Sequence, residues 1–216
     1  MTSLYYTRVF CQFVLNVLFV CPFKFIRWCV RKLISHRYED ECYDELDEDT
    51  SMDVIIMSRR GIEERGRLPF SDNTAVISIT DASYPFAELE CQPRHRLRLA
   101  FDDVDGDVFV DELGSHYSIA ERQALERKYH MFSDEQARDI AVFYWDILLE
   151  GVETIIIQCE HGQSRSAAVA AAIREFADGD GISIFADDRY YPNKLVYRKT
   201  LKALREHMEA DCVSVE

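Results

Sequence analysis

The chain has 216 residues, with 25 Lys and Arg against 39 Asp and Glu, a formal charge of −14. That length accommodates one domain with an appendage and a sizeable core, and 48% apolar residues with only 8 Gly and 5 Pro exclude a disordered or fibrous chain. The acidic balance excludes a general nucleic-acid binder, which needs clustered Lys and Arg; seven cysteines without dense regular spacing argue for a reducing, cytoplasmic setting over a disulfide-stapled secreted module.

Charge divides the chain. Residues 1–38 carry six basic residues and no acidic ones, whereas Glu39 to Asp53 carry nine acidic residues and no basic ones. We therefore divide it into an N-terminal arm (1–38), an acidic linker (39–52), a folded domain (53–210) and a tail (211–216). Within the arm, Val9 to Phe23 is an uncharged apolar run of fifteen residues, short of the ~20 that cross a bilayer unaided. Lys24, Arg27 and Arg31 follow on one helical face, so residues 9–34 suit a membrane surface. Two readings stand: a short signal-anchor or interfacial helix at the cytoplasmic face, or an upstream extension of a protein that begins near Met52.

In the folded domain, Asp53–Met57 reads as a buried strand and Thr74–Ile79 as another, ending at a Thr80-Asp81 turn signal. Arg96–Phe101 alternates with period two and feeds a loop carrying Asp102, Asp103 and Asp105. Residues 106–131 form a long charged insertion, a lid, a recognition element or a plain surface loop, in which Ser118-x-x-Glu121 opens a short helix. Ser133-x-x-Gln136 opens a longer one, whose apolar stripe of Ala137, Ile140, Ala141, Tyr144, Ile147 and Leu148 ends at Gly151. Glu153–Gln158 is the most apolar strand, as befits a central parallel position. An alanine-rich helix spans Ser166–Phe176, and Pro192 precedes a last helix with Leu195, Thr200, Leu201, Leu204 and Met208. Strands alternating with helices predict an α/β three-layer sandwich, a mainly parallel central sheet flanked by helices.

The stretch that carries chemistry is Cys159-Glu160-His161-Gly162-Gln163-Ser164-Arg165-Ser166, between an apolar strand and the alanine-rich helix. Backbone N–H groups in such a loop, with the helix N-terminus behind them, form a phosphate-binding cradle. That environment favours a thiolate at Cys159. Arg165 can grip two phosphoryl oxygens with its planar fork, and Gly162 permits the close approach that a side chain would block. Ser166 can donate its hydroxyl proton to the sulfur. Cys159-x-His161 lacks the further ligands of a metal site, so no metal and no cofactor are expected. Arg59 and Arg60 suit either the pocket rim or a plain surface pair.

Cys-x5-Arg-Ser in this setting resembles the active-site loop of cysteine-dependent protein tyrosine phosphatases, the compact dual-specificity ones above all. The similarity covers about Asp53 to His207. Phe101-Asp102-Asp103 resembles the strand-end general acid of that family, Phe132-Ser-Asp-Glu-Gln-Ala the start of its following helix, and Pro192-Asn193-x-x-Val196 the opening of its late helix. The resemblance implies hydrolysis of phosphotyrosine or phosphoserine/threonine monoesters on a phosphorylated protein, through a cysteinyl-phosphate. Cys159 would be the nucleophile, and Asp103 the acid and then the base, with Asp102 and Asp105 as alternatives. Arg165 and the amides of Glu160, His161, Gly162, Gln163 and Ser164 would hold the phosphoryl group. Gln158 departs from the family, which has His before the nucleophile, and leaves open a phosphate-binding pseudophosphatase. A phosphoinositide or RNA 5′-phosphate phosphatase is a further alternative.

Overall fold

The computed structural model describes residues 52–108, 113–114 and 116–213. The apolar and basic arm, and with it the segment 9–34 expected to suit a membrane surface, lies outside the described residues. Among the described residues no helix is long and apolar enough to cross a membrane.

Four strands build one sheet: β1 (Asp53–Ser58), β2 (Thr74–Thr80), β3 (His95–Ala100) and β4 (Thr154–Cys159). Their order is β1-β4-β2-β3, and every neighbouring pair is parallel. The expected α/β architecture is therefore present, with a wholly parallel sheet. β2 is buried along its whole length and β4 along nearly all of it, which accounts for their unbroken apolar sequence. β1, expected to be buried, is an edge strand: Asp53 and Ile55 are exposed, Ile55 at 38%, and none of its residues is fully buried. An apolar run alone does not tell an edge from a centre, because only strand order decides which flank is left open.

Six helices surround the sheet among the described residues: α1 (Arg59–Arg65), α2 (Ile119–Lys128), α3 (Asp134–Leu149), α4 (Arg165–Asp178), α5 (Ile182–Ala186) and α6 (Lys194–Val213). The two sheet faces are unequally covered. Ile77, Ile79, Leu99, Ile155 and Ile157 pack with α3, α4 and α6 in the main core, while Val76 and Ile156, one residue out of phase, meet Ile62 of α1 in a smaller one. Cys159 shares the face of Ile155 and Ile157, toward α4. Ala167, Ala168, Ala170, Ala171 and Ala172 of α4 are fully buried; their small side chains bring its backbone close to the sheet. α3 starts where expected, with reciprocal capping bonds between Ser133 and Gln136, and Gln136 Nε2 also donates to Ala100 O at the end of β3, 2.9 Å away.

α1 was not expected from sequence. Ser58 caps it by accepting from Gly61 N at 3.2 Å, yet its first turn is Arg-Arg-Gly and only Ile62 is buried. It therefore lacks both the acidic first turn and the apolar stripe that betray a helix. α5, five residues long, is too short for a periodic signal.

One buried group is out of place. Thr200 Oγ1 on α6 is fully buried and has no hydrogen-bond partner among the described residues. Thr200→Val keeps the branched shape and removes a desolvated hydroxyl, and is expected to raise unfolding free energy by about 1 kcal/mol. Urea denaturation of the two proteins checks this, and a loss of stability would mean that the hydroxyl has a partner.

Candidate active site

Cys159 ends β4 and Arg165 begins α4, so the intervening loop joins a central strand to a buried helix at the carboxyl edge of the sheet. In open α/β sheets ligands bind at that edge, where strand order reverses. The loop is pressed against the neighbouring strand. Gly162 has φ +73°, and a Cβ there would stand 2.7 Å from Ser58 N and 2.8 Å from Met57 C. Both the left-handed backbone and the contact with β1 require glycine at this position. Arg59 N donates to Glu160 O at 3.2 Å, and the Arg59 side chain clamps the same region. Its Nε donates to Glu160 Oε2 at 2.7 Å, and its Nη2 to Thr80 Oγ1 at 3.1 Å and Pro85 O at 2.5 Å. Arg59 is thus a positioning residue between loop, β2 and the segment after it. Arg60 lies on the surface, 89% exposed and paired with Glu64.

Among the described residues, the backbone N–H groups of His161 to Ser166 have no hydrogen-bond acceptor. A left-handed glycine followed by a helix N-terminus makes such a run into an anion-binding concavity. Cys159 is 2% exposed, and its Sγ lies 3.0 Å from Ser166 Oγ. Arg165 is 3% exposed. Its Nη1 donates to Asp81 Oδ1 at 2.6 Å and Phe101 O at 2.8 Å, tying α4 to the ends of β2 and β3. Its Nε is buried with no hydrogen-bond partner and has only a long ion pair, 3.8 Å to Asp103 Oδ2. A buried guanidinium N–H without an acceptor is costly unless something fills the space before it.

The three candidate aspartates have separate situations. Asp102 accepts from Ala82 N at 3.1 Å and lies 3.4 Å from His130 Nδ1, bracing the loop after β2 against the end of the insertion. Asp105 accepts from Gly106 N at 2.5 Å and from Lys194 N at 3.3 Å, at the start of α6. Of the three, Asp103 alone reaches the Cys159–Ser166 loop: its Oδ1 accepts from Ser164 Oγ at 2.8 Å and Asn193 Nδ2 at 3.0 Å, which leaves Oδ2 facing Arg165. The other loop side chains take different directions. Glu160 turns to Arg59, His161 and Gln163 are exposed, and Gln163 O accepts from Tyr191 N at 2.9 Å. The turn before that contact is held by Arg189, whose guanidinium and backbone N–H hold the Asp187 carboxyl down at about 2.

Gln158 is fully buried on the opposite face of β4. Ser78 Oγ donates to its Oε1 at 2.8 Å, and its Nε2 donates to Ile79 O at 3.3 Å, so the amide fastens β4 to β2 and makes no bond to the loop. The insertion is anchored: Leu125 and Met131 form a small cluster with Val104 beside the acid loop and Leu195 of α6. Among the described residues no group of three or more His, Cys, Asp or Glu side chains is placed to hold a metal ion.

Sequence reasoning missed Asp81, the partner of Arg165; its only signal was a turn at the end of a strand, which marks a carboxyl edge without saying what faces it. It also missed that Ser164 and Asn193 hold Asp103 through their side chains.

No protein-family model matches this chain, and no curated protein does. Among solved structures, the crystal structure of human DUSP28 matches with 15% identity, over 73% of this chain and 94% of that one, at a TM-score of 0.35.

Proposed function

We propose that the protein is a cysteine-dependent phosphatase that hydrolyses phosphate monoesters, with a phosphorylated protein as substrate. The observation that carries this reading is the buried, unpartnered Nε of Arg165 beside a run of unpaired loop amides, a set of donors that matches a tetrahedral dianion. The sulfur of Cys159 stands at the strand end that feeds this set.

In the first step the Cys159 thiolate attacks phosphorus, the S–P bond forms and the ester P–O bond breaks. Asp103 gives its Oδ2 proton to the departing oxygen. In the second, Asp103 takes a proton from water, the water oxygen attacks phosphorus and the S–P bond breaks, releasing inorganic phosphate and the thiolate. Ser166 Oγ, 3.0 Å from the sulfur, stabilises it as leaving group by donating a hydrogen bond. Arg165 and the amides carry the charge on the equatorial oxygens in both steps. Because the thiolate supplies the nucleophile, and the guanidinium and amides the charge stabilisation, the scheme calls for no metal.

A second reading has one observation in its favour. Gln158 is neutral and spends its amide on β2, so it lends the loop no charge, and a domain that binds phosphate without turning it over fits that feature. The full chain with an aryl phosphate and chelator separates the two. Steady release of phenol, with acid-trapped phosphate on Cys159, is the expected result; phosphate binding without release would assign the binding role.

The role of Asp103 has its own test. Asp103→Asn is expected to lower kcat/KM, which reports only the step that expels the leaving group, by about 100-fold for an alkyl phosphate, the poorer leaving group, and by far less for a nitrophenyl phosphate. Equal losses on both would take the proton transfer away from Asp103.

A further inference from the structure

A second feature adjoins this site. Between α2, the start of α3 and α6 runs a groove of about 890 Å³, lined by five cationic side chains and two carboxylates. In a chain of formal charge −14 that is a local reversal of sign. The two carboxylates are each matched: Glu126 by Arg122 at 3.1 Å and Asp134 by Lys199 at 3.1 Å. Arg127, Arg198 and Lys202 are the surplus. Among the described residues, Arg198 uses only its Nε, on Lys194 O, and Lys202, 70% exposed, stands 3.6 Å from Glu206 on the next turn of its own helix. Arg198 and Lys202 are four residues apart on one face of α6, with Arg127 across on α2, so the surplus charge is spread along two walls. Met131 and Phe132 add apolar lining, and Ile119 is 77% exposed.

The groove abuts the catalytic loops. Phe132 packs against Phe101 with ring centroids 4.7 Å apart, and Phe101 O holds Arg165 at 2.8 Å. His130 O accepts from Asp102 N at 3.1 Å. At the far wall, Arg198 Nη2 is 3.9 Å from the position of a Cβ on Gly106, just beyond the acid loop.

From this the geometry points to a docking site for an acidic segment of the substrate polypeptide, next to the phosphorylated residue that enters the Cys159 loop. The inference rests on the phosphatase reading. Separated cations over an apolar lining suit a peptide that mixes carboxylates with apolar side chains; a compact inorganic anion would engage only one wall. A polyanion such as a nucleic acid would meet the acidic remainder of the molecule.

The test uses the full chain and two phosphotyrosine peptides, one with a run of Glu and Leu five to ten residues from the phosphotyrosine on either side, the other with every Glu replaced by Gln. The Glu peptide is expected to show a kcat/KM roughly tenfold higher. The ratio of its kcat/KM to that of nitrophenyl phosphate is expected to fall by the same factor in Arg127→Glu/Lys202→Glu, and to collapse in 0.5 M NaCl, as a screened surface attraction must. Equal kcat/KM values for the two peptides on an active enzyme, or a preference that survives charge reversal, would overturn the docking site and leave the phosphatase standing. A fluorescein-labelled, unphosphorylated Glu-Leu peptide, followed by anisotropy, isolates docking from turnover. Binding that the double variant abolishes supports the groove even where no phosphate is released. Binding that needs the chain's own acidic run at 39–49 neutralised first would assign the groove to that run, and overturn the proposal.

Discussion

Arg165→Lys is expected to lower kcat/KM for an aryl phosphate by about 10³-fold. The guanidinium is asked to do two things at once. Its Nη1 is committed to Asp81 and Phe101 O, and its buried Nε faces the space between the loop and Asp103. A planar fork can serve both because its donors diverge in fixed directions; an ammonium is a single point on a flexible stem and can serve one set or the other. The lysine that keeps Asp81 leaves the phosphoryl oxygens without a partner, and the lysine that reaches them leaves Asp81 exposed to desolvation beside an apolar strand end. Either choice removes transition-state stabilisation, and the second also lowers the melting temperature. Steady-state kinetics alongside a thermal melt reads both. Wild-type turnover in this variant would remove Arg165 from the phosphate site.

Cys159→Ser carries the other large effect. An alcohol is not ionised at neutral pH, so turnover is expected to fall by about 10⁵-fold, whereas the donors that hold the anion are unchanged. The new hydroxyl lies where Sγ stands 3.0 Å from Ser166 Oγ, so it has a hydrogen-bond partner and need not unfold the core. Calorimetry with tungstate is expected to give an affinity within a few-fold of the wild-type protein for this variant. Loss of turnover together with loss of tungstate binding would mean a collapsed loop, and retained turnover would place the nucleophile elsewhere.

Much of this molecule is legible from short stretches of chain. β2 and β4 declare themselves by continuous apolar runs, α3 by the Ser133–Gln136 capping pair and its stripe, and the loop by Cys159, Gly162, Arg165 and Ser166 at fixed spacing between a strand and a helix. These are local devices: hydrogen bonds within four residues, a side-chain period and a glycine conformation, all written within a dozen positions. Asp103 stood ahead of Asp102 and Asp105 on family resemblance only, because a one-residue change in strand geometry reverses the direction of a side chain. What separates the three is contact with Ala82, Asn193 and Lys194, from distant parts of the chain.

The amino-acid sequence by itself determined the α/β class and the position of the Cys159–Ser166 loop between an apolar strand and an alanine-rich helix, since each depends on neighbours along the chain. Only the tertiary structure decided that β1 is an edge, that Asp81 holds Arg165 from 84 positions away, that Asn193 holds Asp103 from 90 away, and that Gln158 spends its amide on β2 from about 80 away. It also brought the cations of α2 and α6 together into one groove. The reason is physical: parallel strands joined by long crossovers meet partners remote in sequence, and no periodicity records which of them a buried polar group will find.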